Sequence, residues 1–93
     1  MAVVQVSNAP SRDAYEAIDR LLDLSSNRPA GMLVHTASEN ADGSVLLVDV
    51  WESDDAMDAF EQERLFPALE AGGQGAAMQE PPTRHQVFKL VRG

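Results

Sequence analysis

Two titratable side chains lie inside otherwise apolar stretches of this sequence of 93 residues. His35 falls within GMLVHTAS, and Asp49 falls within SVLLVDVW. A carboxylate inside an apolar strand needs a partner, because burying an unpaired charge is unfavourable. A histidine that a carboxylate holds in one tautomer is suited to act as a general base, for example toward a phenolic hydroxyl. A plainer interpretation is that the two residues form a cross-strand polar pair at a dimer interface.

Three further side chains are candidates for contact with a small molecule. Trp51 ends the apolar stretch that contains Asp49 and can stack on a planar ligand, although a tryptophan at a strand end more often fills a core or an interface. Asn8 can orient a substrate oxygen, but a cap of a turn or helix is the favoured interpretation. His85 either faces the mouth of a cavity or is solvated at a strand end, which we favour. The candidate catalytic residues are therefore His35 and Asp49, and the candidate substrate-binding residues are Asn8, Trp51 and His85.

The pairing of the two catalytic candidates depends on the turn between their strands. Residues 31–38 and 44–51 are predicted strands, and the Asp42-Gly43 step between them is typical of a hairpin turn. A type I turn with Gly43 in the left-handed conformation fixes one register. The predicted pairs are then Val34 with Val50, His35 with Asp49, and Leu33 with Trp51. A two-residue turn shifts the register by one position and separates the histidine from the aspartate.

The remaining segments complete a β-α-β-β-α-β order. Residues 2–6 and 84–91 are predicted strands, and Ser11 and Ser53 are predicted caps of two amphipathic helices. Pro67 marks a kink or a separate turn in the second helix, since proline cannot join the helical hydrogen bonding. This order predicts one ferredoxin-like α+β domain over residues 1–93, with a four-stranded antiparallel sheet and both helices on one face.

Alternation along the strands divides the sheet residues between two faces. A nearly aliphatic set is expected beneath the helices: Met32, Val34, Thr36, Leu46, Val48, Val50, Val4, Val6, Phe88 and Leu90. A mixed set is expected on the other face: Leu33, His35, Ala37, Val45, Leu47, Asp49, Trp51, Val3, Gln5, His85, Val87 and Lys89. The mixed set is too apolar to be left in water, so it predicts a homodimer whose seam encloses a polar cavity.

Composition excludes several classes of partner. The formal net charge is −8, with 7 Lys plus Arg against 15 Asp plus Glu, so nucleic acid and anionic membrane surfaces are not expected to bind. The chain has no cysteine and shows no signal peptide or membrane-spanning stretch, which predicts a cytoplasmic location. An acidic set on the second helix is read as a solvated face and not as a metal site: Asp54, Asp55, Asp58, Glu61 and Glu63.

The stretch VLLVDVWESDDAMDAF, in which a strand ends at Trp51 and a capped acidic helix follows, resembles the dimeric α/β-barrel superfamily. The antibiotic-biosynthesis-monooxygenase-like branch is the most similar in element order, over nearly the whole chain. This superfamily includes cofactor-independent oxygenases of small aromatic or quinol substrates, haem-degrading enzymes, isomerases and members of no known role. Asn8 and Trp51 match positions of the haem-degrading members, but residues 54–70 contain no histidine to bind haem iron. Phe60 stands where many monooxygenase-like members carry a helix histidine.

The resemblance and the candidate residues together give one preferred function. It is a cofactor-free, monooxygenase-like enzyme that binds a small, planar, partly apolar phenol or quinol, either between sheet and helices or between subunits. No metal or other cofactor is expected. The alternative is a non-catalytic homodimeric module that binds a small ligand or a protein, and an isomerase or lyase on the same scaffold is a third option. An enzyme requires an open pocket that His35 or Asp49 reaches, whereas a seam should be packed shut.

Overall fold

A computed structural model of the chain describes residues 1–72 and 82–93 and contains a four-stranded antiparallel sheet with helices against one face. The strands are β1 (Val3–Ala9), β2 (Met32–Glu39), β3 (Val45–Trp51) and β4 (Thr83–Gln86), in the order β2-β3-β1-β4. The helices are α1 (Arg12–Leu22), α2 (Asp54–Phe60) and α3 (Phe66–Ala71), and a π-helical turn (Glu61–Leu65) joins α2 to α3. The predicted ferredoxin-like α+β architecture is confirmed.

Both predicted serine caps are present. The Ser11 hydroxyl accepts a hydrogen bond from the Ala14 amide, and the Ser53 hydroxyl accepts one from the Ala56 amide, each at 3.1 Å. Each cap satisfies an otherwise unpaired N–H group and stabilises its helix by about 1 kcal/mol. Among the described residues, no helix has the length and apolar character that crossing a membrane requires.

The interruption predicted at Pro67 is a π turn within a continuing helix. The amide of Phe66 donates to the carbonyl of Glu61, five residues earlier. In a regular α-helix the ring of Pro67 collides with the carbonyl four residues before it and leaves that carbonyl without a donor. The wider π turn relieves this conflict just before α3, which carries proline in its first turn.

The predicted hairpin register is confirmed around the catalytic candidates. Gly43 has a φ of 89°, and its amide donates to the Asn40 carbonyl at 3.0 Å, as in a type I turn followed by a left-handed residue. His35 lies directly opposite Asp49. The third predicted pair, Leu33 with Trp51, is wrong. A bulge between Met32 and Val34 leaves Leu33 as the extra residue and places Met32 opposite Trp51.

The prediction of which sheet face lies under the helices is reversed. Trp51 and Val3 are fully buried, and they form the core with Met32 and with helix residues such as Ile18 and Met57. The face that carries His35 and Asp49 is therefore the covered one. Apart from Met32, the members of the aliphatic set in β1, β2 and β3 lie on the outer face, where Val34 is 44% exposed. Alternation identifies the residues that share a face, but it does not identify the face that the helices cover. The helices cover the face that has the largest side chains and the polar groups that bond to helix residues.

The last strand is shorter than predicted and its residues face differently. β4 ends at Gln86, and one further hydrogen bond joins the Val87 amide to the Ala2 carbonyl at 2.9 Å. Phe88 and Leu90, expected beneath the helices, are 96% and 42% exposed. His85 lies opposite Val4, which places it on the outer face and not with Val3 and Gln5. The strand stops because Gln86 is opposite Val3, the first residue of β1.

Candidate active site

A cavity of about 100 Å³ lies between the covered face of the sheet and the helices. Its walls are mostly apolar: Ile18, Leu22, Leu24, Met32, Leu47, Phe60, Leu65 and Leu69. Polar groups also line it: Gln5, Ser7, Asn8, Tyr15, Asp19, His35 and Asp49. A dry apolar cavity of about 150 Å³ is known to hold benzene, so this cavity has the scale of one small ring. An apolar pocket with a few polar groups is the usual form of a small-molecule site.

Three side chains form a hydrogen-bonded chain along the wall of the cavity. The Tyr15 hydroxyl oxygen is 2.7 Å from Nε2 of His35, and Nδ1 of His35 is 2.6 Å from Oδ1 of Asp49. Both contacts are satisfied when neutral His35 carries its proton on Nδ1, donates it to Asp49 and accepts the Tyr15 hydroxyl at Nε2. The side chains of His35 and Asp49 are 22% and 16% exposed. We refer to Tyr15, His35 and Asp49 as the relay.

The fold positions each member of the relay from a different element. Tyr15 lies in the first turn of α1, and its amide donates to the Ser11 carbonyl at 3.1 Å, so the capping residue sets the start of this turn. His35 and Asp49 are a directly opposed pair on β2 and β3. The bulge in β2 places Met32 and His35 on the same covered face, and Arg28 donates two hydrogen bonds to the Met32 carbonyl beside it, at 3.1 and 2.8 Å.

The electrostatics of the relay favour a proton on the histidine. The hydrogen bond that His35 donates to Asp49 raises the pKa of His35 above its ordinary value, burial opposes this, and the negative charges of Asp49 and Asp19 add to the rise. The pKa of Tyr15 is also raised, first by burial and then by the charges of Asp19 and Asp49. Tyr15 is therefore a neutral phenol near pH 7, and the imidazolium form of His35 is stabilised where it lies.

The structure brings the two catalytic candidates to the cavity but separates the other predicted site residues from them. Asn8 borders the cavity, yet it is exposed and lies opposite Leu46, so alternation directs its side chain to the outer face. Trp51 is fully buried outside the cavity lining, with its ring centroid 5.1 Å from that of Phe60. His85 is exposed on the outer face. Trp51 therefore supports the Phe60 wall and does not itself border the cavity.

Tyr15 and Asp19 are site residues that the sequence reasoning missed. Tyr15 is the only tyrosine in the chain. With Ile18 and Leu22 it forms an i, i+3, i+7 series on α1, and Asp19 follows Tyr15 at i+4. Positions at these spacings share one helix face. The sequence signal for these two site residues was a polar aromatic residue and a carboxylate on the buried face of an amphipathic helix.

The acidic residues of the second helical segment are partly paired and not simply solvated. The guanidinium of Arg84 binds Asp58 at 2.8 Å and also contacts Asp54 and Glu61, whose side chain is only 13% exposed. Arg84 also donates to the side-chain carbonyl of Gln5 at 3.1 Å. This cluster ties α2 and the π turn to the sheet. Within residues 1–72 and 82–93, no three His, Cys, Asp or Glu side chains are grouped to hold a metal ion.

Comparison with known proteins identifies the fold. No protein-family model matches the chain, and no curated protein matches it in sequence. A crystal structure from Chloroflexus aurantiacus J-10-fl, provisionally named an antibiotic biosynthesis monooxygenase, matches 100% of this chain and 98% of its own, at 15% identity and a TM-score of 0.70. The chain has the fold of this provisionally named monooxygenase. A second structure with that provisional name, from Deinococcus radiodurans, matches 99% of this chain and 97% of its own, at 14% identity and a TM-score of 0.71.

A third structure shows the same monooxygenase-like fold. It comes from Bordetella bronchiseptica, has the same provisional name, and matches 97% of this chain and 98% of its own, at 21% identity and a TM-score of 0.62. At such identities the likeness is one of fold, so the activity in these names is that of the named proteins. The predicted resemblance to the antibiotic-biosynthesis-monooxygenase-like branch is confirmed at this level, and function must be argued from the cavity and the relay.

Proposed function

We propose that the chain is a cofactor-independent, monooxygenase-like enzyme that binds a small, planar, partly apolar phenol or quinol and removes its hydroxyl proton. The observation that carries this proposal is the relay, which ends at an apolar cavity of about 100 Å³. A phenol ring suits the aliphatic walls, and its hydroxyl suits the polar wall. The monooxygenase-like fold supports the same class of reaction.

The relay accepts the substrate proton in two coupled steps. The substrate hydroxyl gives its proton to the Tyr15 oxygen while Tyr15 passes its own proton to Nε2 of His35, 2.7 Å away. Asp49, 2.6 Å from Nδ1, stabilises the imidazolium that results. The raised pKa of His35 favours this transfer, and the raised pKa of Tyr15 keeps its hydroxyl protonated between turnovers.

The substrate anion is the electron donor in the oxidation that follows. A phenolate or quinol anion is far more electron-rich than its neutral form and can reduce dioxygen directly. In a monooxygenation of this kind the substrate is the only reductant and loses four electrons in all. A quinol and dioxygen give a hydroxyquinone and water, so one oxygen atom enters the product and the other leaves as water. The residues of this chain then have three tasks, which are to bind the ring, to take the proton and to exclude bulk water.

We further propose that two copies of the chain associate through the outer face of the sheet. Six aliphatic side chains lie there: Val4, Val6, Val34, Leu46, Val48 and Val50. A contiguous apolar surface of this kind usually marks an interface. The relay lies on the opposite side of the sheet, beneath the helices. The proposed seam therefore contains neither His35 nor Asp49, which favours an enzyme over a module whose polar pair serves only the interface.

Turnover of a simple quinol tests the proposed reaction. Dioxygen consumption and the absorbance of the hydroxyquinone product are followed with 2-methylhydroquinone, with the rate in buffer subtracted. We expect His35→Gln to lower kcat by about 10²- to 10⁴-fold, the usual contribution of a positioned general base. His85→Gln is the matched control, because it changes the other histidine, which is exposed on the outer face. Equal rates for the two variants, or no turnover by the wild type, would contradict the proposal.

A further inference from the structure

Apart from His35, the titratable acids and bases that line the cavity are of one sign. Asp19 and Asp49 are carboxylates, and no lysine or arginine lines the cavity within the described residues. Residues 73–81, which lie outside the description, contain no lysine or arginine either. Asp49 is paired with His35. The Asp19 carboxylate takes part in none of the side-chain hydrogen bonds or ion pairs found among residues 1–72 and 82–93.

The position of Asp19 brings its charge to the relay. It lies one helical turn after Tyr15 on α1 and borders the same cavity. Its negative charge contributes to the raised pKa of both Tyr15 and His35. A charge that acts on both of these side chains also acts on any group bound against them.

We infer that Asp19 is a specificity-determining residue that excludes anionic molecules from the cavity, so that the substrate enters uncharged. This inference rests on the proposed function, because it concerns the ligand of the same cavity. An anion entering from water loses hydration and meets the Asp19 carboxylate, and in the reactive form, in which His35 is neutral, no cation offsets it. A neutral hydroxyl group loses much less hydration and is not repelled by the carboxylate. Carboxylate- and phosphate-bearing molecules are therefore selected against, and neutral phenols or quinols are selected for.

Exclusion of anions is compatible with forming an anion during the reaction. When the substrate proton moves through Tyr15 to His35, the new negative charge on the substrate appears together with a positive charge on the imidazole. The net charge of the site does not change, and Asp19 stabilises the imidazolium that accompanies the substrate anion. A molecule that is already ionised in water brings its charge without that counter-charge.

Two para-substituted phenols, one neutral and one anionic, test this inference. At pH 7, 4-methylphenol is neutral and 4-hydroxybenzoate is an anion of similar size. Binding to the full chain is measured from shifts of the backbone amide signals of residues 15–19 in nuclear magnetic resonance titrations. We expect wild type to bind 4-methylphenol tighter by on the order of tenfold, and Asp19→Asn to remove most of this preference by strengthening 4-hydroxybenzoate binding.

Asp23→Asn, at the residue that caps the C-terminal end of α1, is the matched control for the loss of one negative charge. Asp23 is exposed, does not line the cavity and has a left-handed conformation that asparagine adopts readily. It should keep the wild-type preference. An unchanged preference in Asp19→Asn, or equal binding of the two phenols by wild type, overturns the inference and leaves the relay proposal standing. Failure of both phenols to bind at the cavity overturns both proposals.

Discussion

The Tyr15 hydroxyl lies 2.7 Å from Nε2 of His35 and so occupies the imidazole nitrogen that Asp49 does not use. Because Nε2 accepts the Tyr15 hydroxyl, a proton from a ligand in the cavity can pass to this nitrogen through the tyrosine. In the proposed reaction Tyr15 takes the substrate proton and His35 stores the proton that Tyr15 gives up. The contact between Tyr15 and His35 also connects α1 to the sheet, so that the packing of one helix sets the geometry of the whole relay.

The stability of the fold should depend on the protonation of His35. Its pKa is raised in the folded protein, chiefly by the hydrogen bond to Asp49, so protonation stabilises the folded state. This contribution is complete below about pH 6.5, the unfolded value, and is lost as pH rises through the folded-state pKa. We expect the free energy of unfolding in urea to fall over this interval in wild type, and to fall less in Asp49→Asn. Identical pH profiles for the two proteins would contradict the assigned pairing.

The rate of turnover should rise with pH through the pKa of His35, because only the neutral imidazole accepts a proton. In Asp19→Asn the rise should occur at lower pH, since the charge of Asp19 contributes to the raised pKa. Asp23→Asn should leave the profile unchanged. The measurement is kcat/KM for 2-methylhydroquinone across the neutral range, and a profile that does not move in Asp19→Asn would show that its charge does not reach the relay.

Replacement of Trp51 should reduce stability and leave ligand binding almost unchanged. Trp51 is fully buried against Phe60 and does not border the cavity. Truncation to alanine removes a large core side chain and should cost about 3–5 kcal/mol. Trp51→Phe is the milder variant, and it should unfold at lower urea concentration while binding 4-methylphenol with nearly wild-type affinity. Lost affinity at unchanged stability would restore the ligand-stacking role that the sequence suggested for Trp51.

A charge at the centre of the outer face should separate the proposed dimer. Val48 lies opposite Val6 on one side and Thr36 on the other. Sedimentation velocity at micromolar concentration should show a dimer for wild type and a monomer for Val48→Lys, because a buried lysine without a partner is unfavourable. Glu63→Gln is the control, because it changes the net charge by the same amount at an exposed position on the π turn. This variant should remain dimeric. A monomeric wild type would contradict the proposed interface.

The sequence predicted the sheet register better than the faces of the sheet. The Asp42-Gly43 turn set the pairing of His35 with Asp49, because a left-handed glycine in that position allows one loop geometry. The bulge at Leu33 was not visible in the strand alternation, and in the structure it lies beside the Met32 carbonyl, which accepts two hydrogen bonds from Arg28. Without the bulge, Met32 was assigned to the wrong face.

Only part of the relay was predicted from the sequence, and the reason is similar. Strand alternation brings His35 and Asp49 to one face, but it does not say which face the helices cover. The contribution of Tyr15 depends on how α1 is rotated about its axis. The spacing of residues along the helix indicates this rotation only once the covered face of the sheet is known. The pairing of His35 with Asp49 could therefore be predicted from the sequence, whereas the contact of Tyr15 with His35 depends on tertiary packing.

Turnover by a Tyr15→Phe variant tests the central claim most directly, because this change removes only the hydroxyl that connects the cavity to His35. With 2-methylhydroquinone at saturation, we predict that kcat falls by about 10²- to 10⁴-fold. Binding of 4-methylphenol should persist, since the aromatic ring and the cavity walls remain. Wild-type turnover by Tyr15→Phe would contradict the account, because the substrate proton would then reach its acceptor without the relay.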